Sequence, residues 1–273
     1  MVDRTKSREP IVDGIFYPAD KAELTELIVR YLSESSESAG KAGAIVSPHA
    51  AYEYTGRHIA SAFRSAEGRS IETVVIIAPV HREPDDAIFL TESASFMTPL
   101  GPIAVDTELT HDLETCSTRI YRNDIPHLEE HAVEVHLPFI QHLFPKASIV
   151  PILMGRTSVA NSRLLSNAIR TTFDGRFDRT LIVVSSNLST HGVESEARNS
   201  AARLIEFAHR RDWEGLIAAY QRKEVTACGA GCVASLLLPG LPVWNARPLD
   251  WADPEPPDED FDKYMLYGAI VFE

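Results

Sequence analysis

The segment TVVIIAPVH, residues 73–81, decides the fold class, because an apolar and largely β-branched run ends there at a proline, a valine and a histidine. Such a run is too short for a helix and lacks polar alternation, which is typical of a strand buried on both faces of a sheet. Three further runs of this kind are GAIVS at 43–47, SIVPILMG at 148–155 and TLIVVSS at 180–186. Strands of this type need helices on both faces, so the sequence predicts an α/β fold with a mostly parallel central sheet sandwiched by helices.

Helical patterns alternate with these runs. The first helix is predicted from Asp20 to Ser35, where Asp20 can cap the helix, Glu23 completes a capping box, and apolar residues recur at helical spacing. The other predicted helices are residues 55–66, 129–144, 158–173, 194–211 and 213–222, followed by a buried helix that begins in VASLLLPG at 233–240.

Strand and loop signals occupy the remaining segments. The alternating segment 87–106 predicts a β-hairpin, and LYGAIVFE at 266–273 predicts a last strand. Residues 251–262 are acidic and rich in proline, which is typical of a surface loop. Because no linker, repeat or charge block divides the chain, we expect one domain over residues 1–273.

Charge and hydropathy argue against two classes of partner. The formal charge is −13, so the chain lacks the excess of Lys and Arg that nucleic-acid binding requires. Its longest apolar runs fall far short of the roughly 20 residues that span a bilayer, and its first residues lack the apolar core of a signal peptide. We therefore expect a cytoplasmic protein that binds neither nucleic acid nor membranes.

Polar residues follow three of the four predicted strands. Ligands of an open parallel sheet bind beyond the carboxyl ends of its strands, and the sequence places His49, His81 and the segment 187–191 at those positions. A single histidine in a loop is more often solvated than a ligand. The repetition of this pattern after successive strands nevertheless favours a shared site at one edge of the sheet.

The three cysteines are Cys116, Cys228 and Cys232, an odd number in a chain without a secretory signal, so we expect free thiols or ligands. Cys228 lies in TACGAGC, where glycines permit a close backbone approach just before a helix and the thiol tends towards thiolate. We interpret Cys232 as a small buried hydrophobe. Two imidazoles and one thiolate with an open position suit zinc, iron or copper, and do not suit magnesium or calcium.

A competing pattern is HLEEH at 127–131, which fits the H-x-x-E-H motif of zinc peptidases. On a helix, His127 and His131 would share one face and could hold zinc while Glu130 activates water. The motif is short, so a solvated helix face is the favoured interpretation. The buried contacts of this helix are then predicted to come from Val133, Val135, Leu137, Phe139 and Ile140.

Several longer segments together resemble the Memo family. They run in one order along nearly the whole chain: GIFYP, SPHAAYEYTG, APVHR, TPLGPIAVD, DIPHLEEHAVEVHLPFIQ, IVPILMG, SSNLSTHG, ACG and YGAIVF. This family is also described as the B component beside a radical-SAM protein and an AMMECR-type protein, which the resemblance implies as candidate partners. It further implies a fold similar to the catalytic subunit of class III extradiol dioxygenases, with a pocket at the strand ends.

The resemblance extends to individual site residues. His49, His81 and Cys228 match the metal ligands of the family, and Phe16 and Tyr54 match positions that line its pocket. The related dioxygenases use non-haem iron. The resemblance therefore implies one transition metal ion as cofactor, with iron first and copper or zinc next.

One segment departs from the family pattern. Residues 185–192 read SSNLSTHG where the family has SSDFSHYG, so Asn187 replaces an acid and Thr190 replaces the histidine that acts as acid or base in the dioxygenase relatives. His191 follows one residue later and can take over that role only if the loop shifts, because neighbouring side chains point in different directions. The resemblance thus implies His191 and Asn187 as the catalytic residues.

These patterns are compatible with three functions. The first is a non-haem, dioxygenase-like, metal-dependent oxidoreductase that acts on a small phenolic or heterocyclic substrate. The second is a non-catalytic signalling module that binds a peptide or protein and retains a vestigial metal pocket. The third is a zinc-dependent hydrolase that uses Glu130.

Overall fold

A computed structural model describes residues 6–37, 40–82, 85–242, 245–249 and 262–273. Its strands are β1 (Ser7–Arg8), β2 (Ala44–Ser47), β3 (Thr73–Pro79), β4 (Ile88–Leu90), β5 (Ser95–Thr98), β6 (Gly101–Ala104), β7 (Ile120–Arg122), β8 (Ser148–Met154), β9 (Thr180–Ser185), β10 (Ser189–His191), β11 (Ala246–Pro248), β12 (Tyr264–Leu266) and β13 (Ile270–Phe272). Its α-helices are α1 (Lys21–Glu34), α2 (Tyr52–Arg64), α3 (Thr107–Thr115), α4 (Asp124–Glu129), α5 (Leu137–Leu143), α6 (Val159–Thr172), α7 (Glu194–Arg210), α8 (Trp213–Gln221) and α9 (Ala230–Leu237).

The largest sheet has the strand order β11-β13-β2-β9-β3-β8-β4-β7. The four predicted apolar runs form its centre as β2, β9, β3 and β8, and these neighbours all pair in parallel. Among the described residues, antiparallel pairing occurs towards the outside of this sheet, where β11 joins β13, β13 joins β2 and β4 joins β8. The prediction of a mostly parallel central sheet is confirmed.

Helices cover both faces of this sheet, because alternate side chains of each central strand point to opposite sides. In β2, Ile45 belongs to an apolar cluster that includes residues of α1, α2 and α5. Val46 belongs to a second cluster, which includes residues of α6, α7, α8 and α9. The predicted sandwich of helices around the sheet is confirmed, and the eight residues of α9 are all buried as expected.

The segment predicted to be a β-hairpin has two parts. β5 and β6 pair antiparallel as expected, and β1 adds to β5 in a separate three-stranded sheet. β4 instead joins the central sheet between β8 and β7. β13 confirms the last strand, whereas residues 251–261 of the predicted surface loop lie outside the described residues. Within the described ranges, no helix combines the length and apolarity needed to cross a membrane.

The predicted helix over residues 129–144 is wrong in its first half. α4 ends at Glu129, residues 130–133 are not helical, a 3₁₀ turn covers Glu134–His136, and α5 begins only at Leu137. Pro138 at the start of α5 suits a helix beginning, because a proline there loses no intrahelical hydrogen bond. The five apolar residues predicted to pack inwards from this segment are all buried.

A buried ion pair lies at the 3₁₀ turn of this segment. Arg8 of β1 and Glu134 are both almost fully inaccessible and form a salt bridge. The Glu134 carboxylate also accepts hydrogen bonds from the backbone N–H groups of Ile11 and Val12 and from the Tyr17 hydroxyl, at 2.6–3.1 Å. A buried charge is tolerated when it is paired and its remaining lone pairs are satisfied, and both conditions hold here.

We predict that Glu134→Gln destabilises the protein by about 3–5 kcal/mol, because it leaves the Arg8 guanidinium buried without a countercharge. Chemical denaturation of both proteins measures this change. The matched control is Glu194→Gln, which breaks the exposed pair of Glu194 with Arg198 on α7 and is expected to cost no more than about 0.5 kcal/mol. Equal losses in the two variants would contradict the prediction.

Candidate metal centre

Two predicted ligands meet beyond the carboxyl ends of β2 and β3, which are separated by one strand of the sheet. β9 lies between β2 and β3, and the register pairs Ser47 at the end of β2 with Ser185 at the end of β9. His49 follows β2 by two residues, and His81 follows β3 by two residues. Their ring centroids are 5.0 Å apart, so the strand-end pattern brings these two imidazoles together.

A third histidine completes the cluster, and the sequence analysis had not assigned it to this site. The ring of His131 lies 5.6 Å from that of His49 and 5.3 Å from that of His81. One ligand nitrogen from each of the three rings lies within 4.8 Å of the other two. His49, His81 and His131 are hereafter called the histidine cluster.

The H-x-x-E-H interpretation does not fit this geometry. His127 is on α4, but His131 lies beyond the end of that helix, so the two rings do not share a helix face. His127 is buried, with Nε2 at 3.3 Å from the carbonyl oxygen of Phe89 and its ring edge-on to Phe96. A solvated face is also wrong, because His127 is 1% exposed and Glu130 is 4% exposed.

Cys228 lies against the histidine cluster, in the turn that precedes α9. Its Sγ is 3.2 Å from Nε2 of His49 and accepts a hydrogen bond from the backbone N–H of Asn187 at 3.2 Å. This approach requires glycine at position 229, since a Cβ there would lie 2.6 Å from the carbonyl oxygen of Ser185. All three cysteines are free thiols, and Cys232 is buried among apolar residues as predicted.

Glu130 holds two of the three histidines. Its carboxylate accepts hydrogen bonds from the backbone N–H and Nδ1 of His81, at 2.9 and 3.0 Å, and from the backbone N–H of Ala132 at 2.9 Å. Nδ1 of His131 lies 3.3 Å from the same carboxylate. In metal sites, a carboxylate on one ring nitrogen fixes the imidazole and leaves the other nitrogen for the metal. Glu130 occupies this supporting position for His81.

Burial and hydrogen bonding give the cluster an uneven charge distribution. Burial lowers the pKa of His49 and of His131. Burial would also lower the pKa of His81, but its hydrogen bonds with Cys228 and Glu130 raise that pKa to about 10. Burial would raise the pKa of Glu130, but the hydrogen bond from His81 holds it below its usual value. Metal binding by His81 therefore requires loss of a proton from this ring.

The residues that the family resemblance implied for catalysis and substrate binding lie at different distances from the cluster. Phe16 packs its ring edge-on against His131, with centroids 5.1 Å apart, whereas Tyr54 is 42% exposed and stacks on Tyr267. Asn187 Oδ1 accepts the backbone N–H of His49 at 3.0 Å, so this side chain orders a ligand loop.

His191 lies in β10, opposite Tyr264 of β12. Its Nδ1 accepts a hydrogen bond from the backbone N–H of Val193 at 3.1 Å. Its described contacts are therefore with its own loop and with β12 rather than with the histidine cluster.

The donor set fits a transition metal. Three imidazoles and a neighbouring thiol are ligands that zinc, iron and copper accept, whereas magnesium and calcium prefer oxygen ligands. His49 is buried, but the side chain of His81 is 36% exposed, so the cluster is open to solvent on one side. A site with this form could keep one coordination position for a reactant.

Known proteins resemble this chain along nearly its whole length. The family model described as Memo-like protein matches residues 8–243. A MEMO1 family protein of Thermoplasma volcanium is 28% identical over 271 residues, which cover 97% of both chains. Similar proteins of Nitrosopumilus maritimus and Thermotoga petrophila are 29% and 30% identical, and each match covers 97% of this chain and 99% of the relative.

We predict that Glu130→Gln weakens zinc binding about 10–100-fold, because an amide cannot hold His81 as a carboxylate does. Isothermal titration of the metal-free protein measures the affinity. The matched control is Glu129→Gln, which changes the adjacent, exposed glutamate and is expected to bind zinc as the unchanged protein does. The supporting role of Glu130 is refuted if both variants bind zinc equally well.

Proposed function

Since this chain belongs to the family of Memo-like proteins, we propose that its histidine cluster and Cys228 form a transition-metal centre of a non-haem oxidoreductase that acts on a small phenolic or heterocyclic substrate. The observation that carries this proposal is the convergence of three imidazoles and a thiol at one edge of the central sheet, with a carboxylate behind one of the rings.

His49 and His81 are proposed as metal ligands whichever group supplies the third position. Cys228 is our proposed third ligand, because its sulfur lies 3.2 Å from Nε2 of His49. His131 flanks the same two rings from the side of Glu130, so it can either complete the ligand set or contact the reactant.

Iron is our first choice of metal, followed by copper and then zinc. A bound iron or copper ion would supply redox chemistry towards oxygen or an oxygen-bearing substrate. The chain would bind and orient that substrate. Phe16 offers a half-buried aromatic face beside His131, which suits a planar ring. Tyr54 is proposed as a second contact, at the exposed side.

Asn187 and His191 contribute in different ways under this proposal. Asn187 already contacts the backbone of His49 through Oδ1 and Cys228 through its own N–H, so its first contribution is to keep these two groups close together. An acid or base role for His191 stays a prediction, and it requires a rearrangement of β10 that turns the ring towards the cluster.

The alternative functions receive unequal support. A hydrolase needs Glu130 free to activate water, yet its carboxylate is occupied by His81 and Ala132. This leaves a peptide- or protein-binding module as the competing function. The exposed Tyr54, which stacks on the buried ring of Tyr267, is the feature that favours it.

We predict that the protein purified without added metal contains near-stoichiometric iron or copper, and that His49→Ala and Cys228→Ala both lose it. Plasma mass spectrometry measures the metal, and an oxygen electrode then screens phenolic and heterocyclic compounds. Tyr54→Ala is the control, because it lies outside the proposed ligand set and should retain the metal. A site that is empty and also refuses added iron, copper and zinc would favour the binding module.

The third ligand is predicted to be Cys228 rather than His131. Cobalt(II) bound by a thiolate gives an intense sulfur-to-metal charge-transfer absorption in the near ultraviolet, which histidine ligands do not produce. We expect this absorption in the unchanged protein and in His131→Gln, and its loss in Cys228→Ser. Cobalt binding without the absorption in the unchanged protein, together with weak binding by His131→Gln, would instead assign a three-histidine set.

A further inference from the structure

The hydroxyl group of Ser185 lies behind the histidine cluster and has three partners. Ser185 is the last residue of β9 and is fully buried. Its Oγ is 2.7 Å from Nδ1 of His49, 3.0 Å from Nε2 of His136 and 2.7 Å from the carbonyl oxygen of Ala132. His136 is also fully buried, and the proposed metal chemistry assigns it no role.

Counting protons determines the direction of each of these hydrogen bonds. A serine hydroxyl has one proton and two lone pairs, whereas a carbonyl oxygen can only accept. The Ser185 proton therefore goes to Ala132, and both lone pairs of Ser185 must accept. It follows that His49 donates from Nδ1–H and that His136 donates from Nε2–H.

The carbonyl oxygen of Ala132 disfavours the reverse arrangement. If the hydroxyl of Ser185 donated its proton to Nδ1 of His49, two acceptor oxygens would face each other at 2.7 Å with no proton between them. The N–H of His136 fills one lone pair of Ser185, which leaves the other lone pair for the Nδ1–H of His49. The other nitrogen of His136 has no hydrogen-bond partner among the described residues, as expected if it carries no proton.

We propose that Ser185, assisted by His136, is a positioning residue that fixes neutral His49 in the tautomer with the proton on Nδ1. The Nε2 lone pair of His49 then points towards Cys228 and the proposed metal. The role of this tautomer in metal binding rests on the proposed function. The tautomer itself is set by the hydrogen bonds and exists without any metal. Other metal sites fix histidine tautomers in the same way.

Nitrogen-15 NMR of the full-length, metal-free protein tests the inference directly. Long-range proton–nitrogen correlations distinguish a protonated from an unprotonated ring nitrogen, and the His49 signals are identified by their loss in His49→Ala. We expect Nδ1 of His49 to be protonated in the unchanged protein and a mixture of both tautomers in Ser185→Ala. If the unchanged protein carries the proton on Nε2, the inference is overturned, and this result does not depend on whether a variant folds.

A matched variant separates positioning from general loss of stability. Ser189 is also a fully buried serine, and its hydroxyl donates to the carbonyl oxygen of Ala197 at 2.7 Å rather than contacting His49. Ser189→Ala should leave the His49 tautomer and zinc affinity unchanged, whereas Ser185→Ala should lower zinc affinity about 10–100-fold. Unchanged tautomer populations in Ser185→Ala would refute the role of Ser185.

The same experiment distinguishes this inference from the proposed function. If the unchanged protein binds no iron, copper or zinc but carries the proton on Nδ1 of His49, the metal centre fails and the tautomer assignment stands. If it binds metal but carries the proton on Nε2, the metal centre stands and the role of Ser185 fails.

Discussion

The ion pair between Arg8 and Glu134 is the interaction on which the site depends, because it holds a non-helical segment against the sheet. Arg8 also donates to the backbone carbonyl oxygens of His127 and Glu130, so one guanidinium contacts both sides of the point where α4 ends. A helix through this segment would use those carbonyls for its own hydrogen bonds. The segment instead stays irregular, and His131 extends from it towards His49.

Two parts of the fold therefore position the histidine cluster, the central sheet and the irregular segment. The parallel sheet places His49 and His81 by strand geometry, since β2 and β3 run parallel on either side of β9 and end at the same edge. The irregular segment supplies Glu130 and the carbonyl oxygen of Ala132, which orient the ring of His81 and the hydroxyl of Ser185. The sheet thus fixes the positions of His49 and His81, and the segment contributes the hydrogen bonds that orient their ring nitrogens.

The contribution of the sheet could be predicted from the sequence, but the contribution of the irregular segment could not. Apolar, β-branched runs report burial on both faces, so the central strands and the approach of His49 to His81 could be predicted from local pattern. The environment of Glu130 could not, because it depends on Arg8, more than a hundred residues earlier in the chain. The H-x-x-E-H pattern did indicate that His131 could be a ligand. A helical interpretation of that pattern paired it with His127, however, whereas its ring lies beside those of His49 and His81.

The family resemblance identifies Asn187 as the replacement of an acid. This replacement changes the charge of the site but keeps a hydrogen bond that shapes it. The amide oxygen of Asn187 accepts the backbone N–H of His49, a contact that a carboxylate would also make, so the loop keeps its conformation. What the replacement removes is one negative charge beside a proposed cation. Among the described residues, the anionic groups in direct contact with the rings are then Glu130 and, when deprotonated, Cys228. A metal held here would be balanced mainly by these two groups, which makes the thiol more important to the charge of the centre than it would be beside an aspartate.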